Sequence, residues 1–252
     1  MRIAVLGASG RIGREVVDVL ENQGHEIAEL TRATGVDAYS GAGLSAALSG
    51  ADVVVDATNA STIETAAVQD FFRTIARNVQ HAAAAAGARR IVLVSIIGIE
   101  AFPAGHYAGK LAHERAYREG PLPVRILRAA QFHEFTEMML DWTTRGDAAY
   151  VPATRTQLVA ARTVAEELAR LAVADTALEL TEIAGPDELN LAAATARLAA
   201  RRGAPARVHE VTDTDDPNCE AQAAGALLPG PGAIIAGPTF PEWLDQRYPA
   251  NR

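Results

Sequence analysis

Three glycines, Gly7, Gly10 and Gly13, stand three residues apart in GASGRIG, directly behind the apolar run RIAVL. A strand that turns sharply into a helix needs a glycine at the turn. A second glycine lets the main chain come close to a pyrophosphate, and a third lets the helix lie against the strand. The helix N-terminus then offers unpaired N–H groups and a positive dipole end to the anion. The context the motif requires is present: a strand-like run before it, an amphipathic pattern of Ile12, Val16, Val17 and Leu20 closed by Gly24, and another strand-like run after. Dinucleotide binding is the expected task. Where the second run ends, an acidic residue would hold both ribose hydroxyls of NAD, but the chain has Thr31 and Arg32, with Glu29 inside the run. A guanidinium can fork around a 2′-phosphate, so NADP(H) is expected over NAD(H), with Arg11 as a second positive charge.

These residues need a scaffold that gathers strand ends. Up to about residue 130 the chain alternates β-branched runs with helical patterns: RIAVLG, HEIAELTR, ADVVVDAT, RRIVLVSIIG and PVRILRAA, with a shorter strand expected at GVDAYS. Runs without polar alternation suit strands covered on both faces, and the alternation predicts stacked βαβ units and a parallel sheet. Val68, Phe71, Phe72, Ile75 and Val79 mark a longer helix, the aromatic pair serving as core packing. The fold class is α/β: a Rossmann-type doubly wound parallel sheet over residues 1–130, with a small C-terminal substrate lobe over 131–252 packed on it as one compact unit. In that lobe we expect a helix near FTEMMLDWTT, a strand near QLVAA, a helix at TVAEELARLAV, a run ALELTEIAG and a helix from Leu189. The Pro- and Gly-rich DTDDPNCEAQAAGALLPGPGAIIAGP reads as a loop or lid with a weak helix inside.

Composition narrows the partners. At 252 residues with a formal charge of -8 and scattered basic residues, the chain lacks the footprint of a general nucleic-acid binder. Its single cysteine, Cys219, excludes an internal disulfide framework and a thiolate metal cluster, and fits a reducing, cytoplasmic setting. No signal peptide or bilayer-spanning run is expected, because Arg89 and Arg90 cut the most apolar stretch. Metal binding is not expected either, since the six histidines lack the spacing of a known site. A G-x-S-x-G elbow is missing. The expected partner is a small-molecule substrate, with no nucleic acid and no membrane; oligomeric state is not readable.

Over nearly its whole length the chain resembles the short-chain dehydrogenase/reductases, specifically their atypical NmrA-like branch. The resemblance rests on GASGRIG, LTR, DVVVDATNAS, VLVSIIGIE, HYAGKLAHE and ILRAAQFHEF in that order, with GPTFPEWL resembling the branch's closing helix. It implies that Gly7, Ser9, Gly10, Arg11, Ile12 and Gly13 meet the pyrophosphate, that Thr31 and Arg32 favour NADP, and that Ala57, Thr58 and Asn59 line the nicotinamide ribose. A strand-to-loop cap is the alternative for Thr58 and Asn59.

In the wider family a Ser, a Tyr and a Lys four residues after that Tyr perform reduction, the Lys lowering the Tyr pKa and holding the ribose. By resemblance Ser95 and Lys110 occupy the Ser and Lys positions. Four residues before Lys110, however, stands His106, and Tyr107 is one position late. Successive helical residues point about 100° apart, so Tyr107 aims elsewhere unless the helix start is shifted. His106 can relay protons, although the Lys110 charge disfavours its imidazolium and suits it better as a base or hydrogen-bond donor. The candidate catalytic set is therefore Ser95, His106, Tyr107 and Lys110, with His106 and Tyr107 as helix caps the bland alternative. After the last major strand, Gln131 and His133 are candidate polar contacts to substrate and Phe132 or Phe135 an apolar wall; a core histidine bonded to backbone is the other reading of His133. The expected function is NADPH-dependent reduction of a small organic carbonyl, enone or quinone-like compound. Two alternatives stay open: a non-catalytic NADP(H)-sensing regulator, motivated by the missing tyrosine, and a non-redox isomerase or lyase on the same fold.

Overall fold

Val, Ile and Leu dominate the N-terminal runs, and in the computed structural model, which describes residues 1–249, each run becomes a strand followed by a helix or turn. The first elements are β1 (Arg2–Leu6), α1 (Arg11–Asn22), β2 (Glu26–Leu30), α2 (Leu44–Ala47), β3 (Val53–Asp56), α3 (Thr65–Ala85), β4 (Arg90–Ile96), α4 (Gly105–Arg118) and β5 (Val124–Ala129). There follow α5 (Phe135–Thr143), β6 (Thr144–Arg145), β7 (Ala148–Pro152), β8 (Arg155–Thr156), α6 (Ala161–Val173), β9 (Leu180–Ala184) and β10 (Leu189–Asn190). The last are α7 (Leu191–Arg202), β11 (Arg207–Val211), α8 (Cys219–Ala224), β12 (Ile234–Ile235) and α9 (Phe240–Arg247). None of the described helices is long and apolar enough to cross a membrane.

Seven strands form one all-parallel sheet in the order β12-β9-β5-β4-β3-β1-β2, the doubly wound α/β arrangement expected from the sequence. Ile3 of β1 pairs with Ile27 of β2 on one side and with Val53 of β3 on the other. The chain thus reverses its direction of travel across the sheet between β1 and β3. The loops leaving these two strands part at a topological switch point, where open α/β sheets bind ligands. GVDAYS forms no edge strand: Asp37 and Ala42 make an isolated antiparallel bridge, and the Asp37 carboxylate bonds Tyr39 N and Ser40 Oγ. Local Asx-turn chemistry wins over pairing there.

The chain divides into two compact units. One holds Met1–Ser95, Ala104–Arg128 and Val164–Thr181; the other holds Ile96–Pro103, Ala129–Thr163 and the described residues from Glu182 onward. The division follows space rather than a single cut near residue 130. Most of α6 belongs with the first unit because two strand arginines hold its C-terminal carbonyls. Arg125 Nη1 donates to Leu171 O at 2.6 Å and Ala174 O at 2.7 Å, Arg125 Nη2 to Asp175 O at 3.0 Å, and Arg90 also donates to Ala174 O. Cations suit the negative end of a helix, and bonds from charged donors contribute about 1.5–3 kcal/mol each. Arg125→Met should therefore lower the thermal midpoint by about 5 °C and speed amide exchange in the last turn of α6, with little change elsewhere in the first unit.

The first unit's core gathers Leu6, Leu30, Leu48, Val54, Ile75, Leu93 and Tyr117. Its α3 and α4 lie close because α4 presents small residues: a Cβ on Gly109 would sit 2.1 Å from Val68 Cγ1 and 3.1 Å from the Phe72 ring. In the second unit β6 and β7 form a hairpin turned at Gly146 (φ +62°), and β11 joins β7 in parallel. Leu140, Val151, Leu198, Phe240 and Trp243 centre its core. The expected strand at QLVAA is reduced to a bridge from Val159 to Phe132, and the strand proper, β8, falls two residues earlier and pairs with β10.

Candidate functional site

The glycine loop leaves room only for main chain. A Cβ on Gly7, held at φ +70°, would lie 2.8 Å from the Ala57 carbonyl oxygen, and one on Gly13 would lie 2.1 Å from the Gly7 carbonyl oxygen. Gly10 N donates to that same oxygen at 2.8 Å, so the loop is tied shut at its base. Gly10 is the N-cap of α1 and brings no side-chain acceptor, while the first turn carries no carboxylate. By contrast Glu64 caps α3 with bonds from Ala66 N and Ala67 N. The start of α1 is thus electropositive and sterically open, which fits a pyrophosphate. Ser9 and Arg11 are exposed beside it, whereas Ile12 turns its side chain into the core and can offer only its main chain.

After β2, Thr31 caps a single 3-10 turn (Arg32–Thr34) through a reciprocal capping box with Thr34, which occupies its hydroxyl and leaves Arg32 exposed. After β3, Thr58 donates to Asp56 Oδ1 through both N (2.8 Å) and Oγ1 (2.6 Å), the bonding of a strand-to-loop cap. Ala57 is half-buried and Asn59 exposed.

Helix α4 starts at Gly105 without the shift that Tyr107 would need. Lys110 Nζ lies 4.9 Å from the centre of the Phe72 ring, and the His106 ring meets the same Phe72 edge-on at 5.9 Å. His106 therefore shares the lysine's face, and Tyr107 lies half-buried one step round the helix. Burial, then the charge of Lys110, pushes the His106 pKa down to about 4. Lys110 is 3% exposed, and burial lowers its pKa to about 8 against the opposing pull of Asp56 and Glu114. It remains mostly protonated at neutral pH.

Behind Lys110 stands a polar cluster buried in the first unit. Lys110 Nζ donates to His113 Nδ1 at 3.3 Å, which places the imidazole proton on Nε2. That nitrogen lies 3.1 Å from Asp56 Oδ2, at an angle too oblique for a linear hydrogen bond. Tyr117 donates its hydroxyl to the same oxygen at 2.5 Å. His113, Asp56 and Tyr117 are each 0% exposed. Burial alone would raise the Asp56 carboxyl; His113, the Lys110 charge and the Thr58 hydroxyl outweigh it and hold the group ionised. Burial, then Lys110, depresses His113 to about 4, so its ring is neutral, and burial beside Asp56 keeps Tyr117 protonated.

Next to this cluster Glu114 is gripped by Arg128 through Nε (2.9 Å) and Nη2 (2.8 Å) and by Arg118 at 3.2 Å. Burial would raise its carboxyl, but the Arg128 bonds, Ser95 and the arginine charges bring it below the ordinary range. Ser95 Oγ is buried beside it and makes no well-directed hydrogen bond among the described residues.

A family profile described as NAD(P)H-binding matches residues 7–183. The chain belongs to that NAD(P)H-binding family. No curated protein matches the sequence. Among solved structures, an NADPH-dependent quinone oxidoreductase from Escherichia coli complexed with NADPH aligns at TM-score 0.73 and 17% identity, over 98% of this chain and 99% of that one. A UDP-N-acetylglucosamine 4-epimerase from Bacillus cereus aligns at TM-score 0.71 and 18% identity, over 98% and 95%. A short-chain dehydrogenase/reductase superfamily protein from Agrobacterium tumefaciens with bound NAD aligns at TM-score 0.64 and 18% identity, over 100% and 93%. At such identities the likeness is one of fold.

Within this member of the NAD(P)H-binding family, Ser95, His106, Tyr107 and Lys110 all belong to the first unit, and Gln131, Phe132 and His133 to the second. Gln131 accepts from Thr156 Oγ1 at 2.6 Å, and Phe132 is half-buried. His133 takes the core alternative: it is 0% exposed, its ring lies 5.4 Å from both Phe240 and Trp243, and Nε2 donates to Pro238 O at 3.1 Å. Sequence reasoning missed Asp56, His113 and Tyr117, and it treated Phe72 as plain core although that ring stacks on His113 at 4.5 Å. One available signal was that, of 23 lysine and arginine residues, only Lys110 is a lysine.

Proposed function

We propose that this protein is an NADP(H)-dependent oxidoreductase of the NmrA-like branch that reduces a small organic carbonyl, enone or quinone-like compound. The observation that carries this reading is the pairing, in one unit, of a loop that only main chain can fill with a buried lysine at the family's cofactor position. Gly7, Ser9, Gly10, Arg11, Ile12 and Gly13 would hold the pyrophosphate, Thr31 and Arg32 the adenosine end with its 2′-phosphate, and Ala57, Thr58, Asn59 and Lys110 the nicotinamide ribose. The nicotinamide, when bound, supplies a hydride. Lys110, lowered to about 8 by burial, stays mostly protonated at neutral pH and can donate a proton. His106 is a neutral ring there and serves as a hydrogen-bond partner rather than as an imidazolium acid. Ser95 and Tyr107 complete the candidate set.

The absent family tyrosine favours a second reading, a sensor that binds NADP(H) without turnover. Calorimetry with NADPH and NADH, followed by NADPH oxidation against a panel of quinones and enones, separates the two. Saturable NADPH binding with no oxidation across the panel would favour sensing, and no binding of either nucleotide would overturn both. Arg32→Ala should weaken NADPH binding about tenfold, the value of one charge-assisted contact, and leave NADH binding unchanged. Equal loss for both nucleotides would remove Arg32 as the phosphate-reading residue.

A further inference from the structure

Polar groups this deeply buried are costly unless partnered, and those behind Lys110 lie against one another. Asp56 accepts two bonds from Thr58 on Oδ1 and meets Tyr117 and His113 on Oδ2, which fills the lone-pair positions of a carboxylate. His113, clamped between the Phe72 and Tyr117 rings at 4.5 and 4.9 Å, then has one free choice: its Nδ1 must accept. Among the described residues its donor is Lys110. We propose that Asp56 and His113 are positioning residues for Lys110, His113 fixing the ammonium by accepting one of its protons and Asp56 fixing the tautomer and orientation of His113. The inference rests on the reading that Lys110 serves the cofactor, and it adds two residues that do not themselves touch the ligand.

The charges facing the pair account for why both are needed. From β3 comes Asp56, from α4 itself His106, Glu114 and Tyr117, and from β5 Arg128, whose charge is matched by Glu114. From α3 come the apolar Val68 and Phe72. Burial drives Lys110 toward the neutral amine, while the carboxylates of Asp56 and Glu114 oppose it. With Asp56 removed, the larger of the two opposing charges is lost.

A single lysine makes the test direct, because the chain labelled isotopically at lysine Cε gives one side-chain resonance. Titrated without cofactor, the native protein should show a midpoint of about 8. Asp56→Asn should lower it by more than about one pH unit, as loss of a nearby opposite charge does. His113→Leu should lower it as well, and His113→Gln, which retains an acceptor, should restore most of the native value. Should Asp56→Asn not fold, as judged by circular dichroism, the two His113 variants decide. Midpoints in His113→Leu and His113→Gln that coincide with the native one would overturn the proposal. NADPH affinity, measured by calorimetry across the same pH range, separates the two levels. A shifted titration with unchanged affinity would preserve the positioning pair and sink the cofactor role of Lys110; unshifted titration with intact binding would do the reverse.

Discussion

Gly13→Ala should reduce NADPH affinity by about 100-fold, equivalent to about 2.7 kcal/mol. The new methyl would stand 2.1 Å from the Gly7 carbonyl oxygen and 2.8 Å from Ala8 Cα. Both are main-chain atoms, so no side chain can swing away. Either α1 moves off the sheet or the loop opens, and overpacking of this kind costs about 1–3 kcal/mol of stability. For a chain of this size that is a drop of roughly 2–4 °C per kcal/mol in the thermal midpoint. Gly24→Ala provides the control. Gly24 ends the same helix at φ +80° with nothing within 4 Å, so alanine there meets strain but no neighbour and should leave nucleotide affinity as it was. Calorimetry on both variants decides; full affinity in Gly13→Ala would remove the cradle as the nucleotide site.

The largest expected loss of stability comes from Arg128→Met. Glu114 is 0% exposed and Arg128 6%, and their two-pronged contact leaves the carboxylate little other support beyond Arg118, a third of whose side chain is exposed. Removing one partner of a buried ion pair typically costs about 3–5 kcal/mol, because the other is left charged and unmatched. A fall of about 10 °C in the thermal midpoint at neutral pH follows. The pH dependence has a definite sign. In the native protein the Glu114 pKa is depressed, so its contribution is present above the unfolded value and is lost as pH falls through the folded one. Without Arg128 burial dominates and the group can escape by taking up a proton. The gap between native and variant should therefore narrow toward pH 4 in thermal melts; a gap independent of pH would mean that Arg128 acts by packing alone.

The sheet was readable because β-branched runs and the GASGRIG turn obey local rules, whereas Ser95 and Lys110 were singled out by a resemblance alone. The polar cluster obeys a rule that an apolar scan passes over. His106, Lys110, His113 and Tyr117 follow one another at steps of four, three and four, which is helical spacing, but the stripe is made of titratable residues. Its partner Asp56 lies on β3, 61 positions from Tyr117, and no local signal joins them. GVDAYS failed for the opposite reason, since its apolar content suggested a strand while Asp37 and neighbouring glycines built a turn. For His133 sequence offered two readings, and no local signal announced the Phe240 and Trp243 rings that pack on it.

A chain whose 23 lysine and arginine residues include one lysine, itself 3% exposed, offers few ε-amine targets to acylating agents and to the enzymes that tag lysines. Reagents that read exposed ε-amines should find this protein nearly silent until it unfolds.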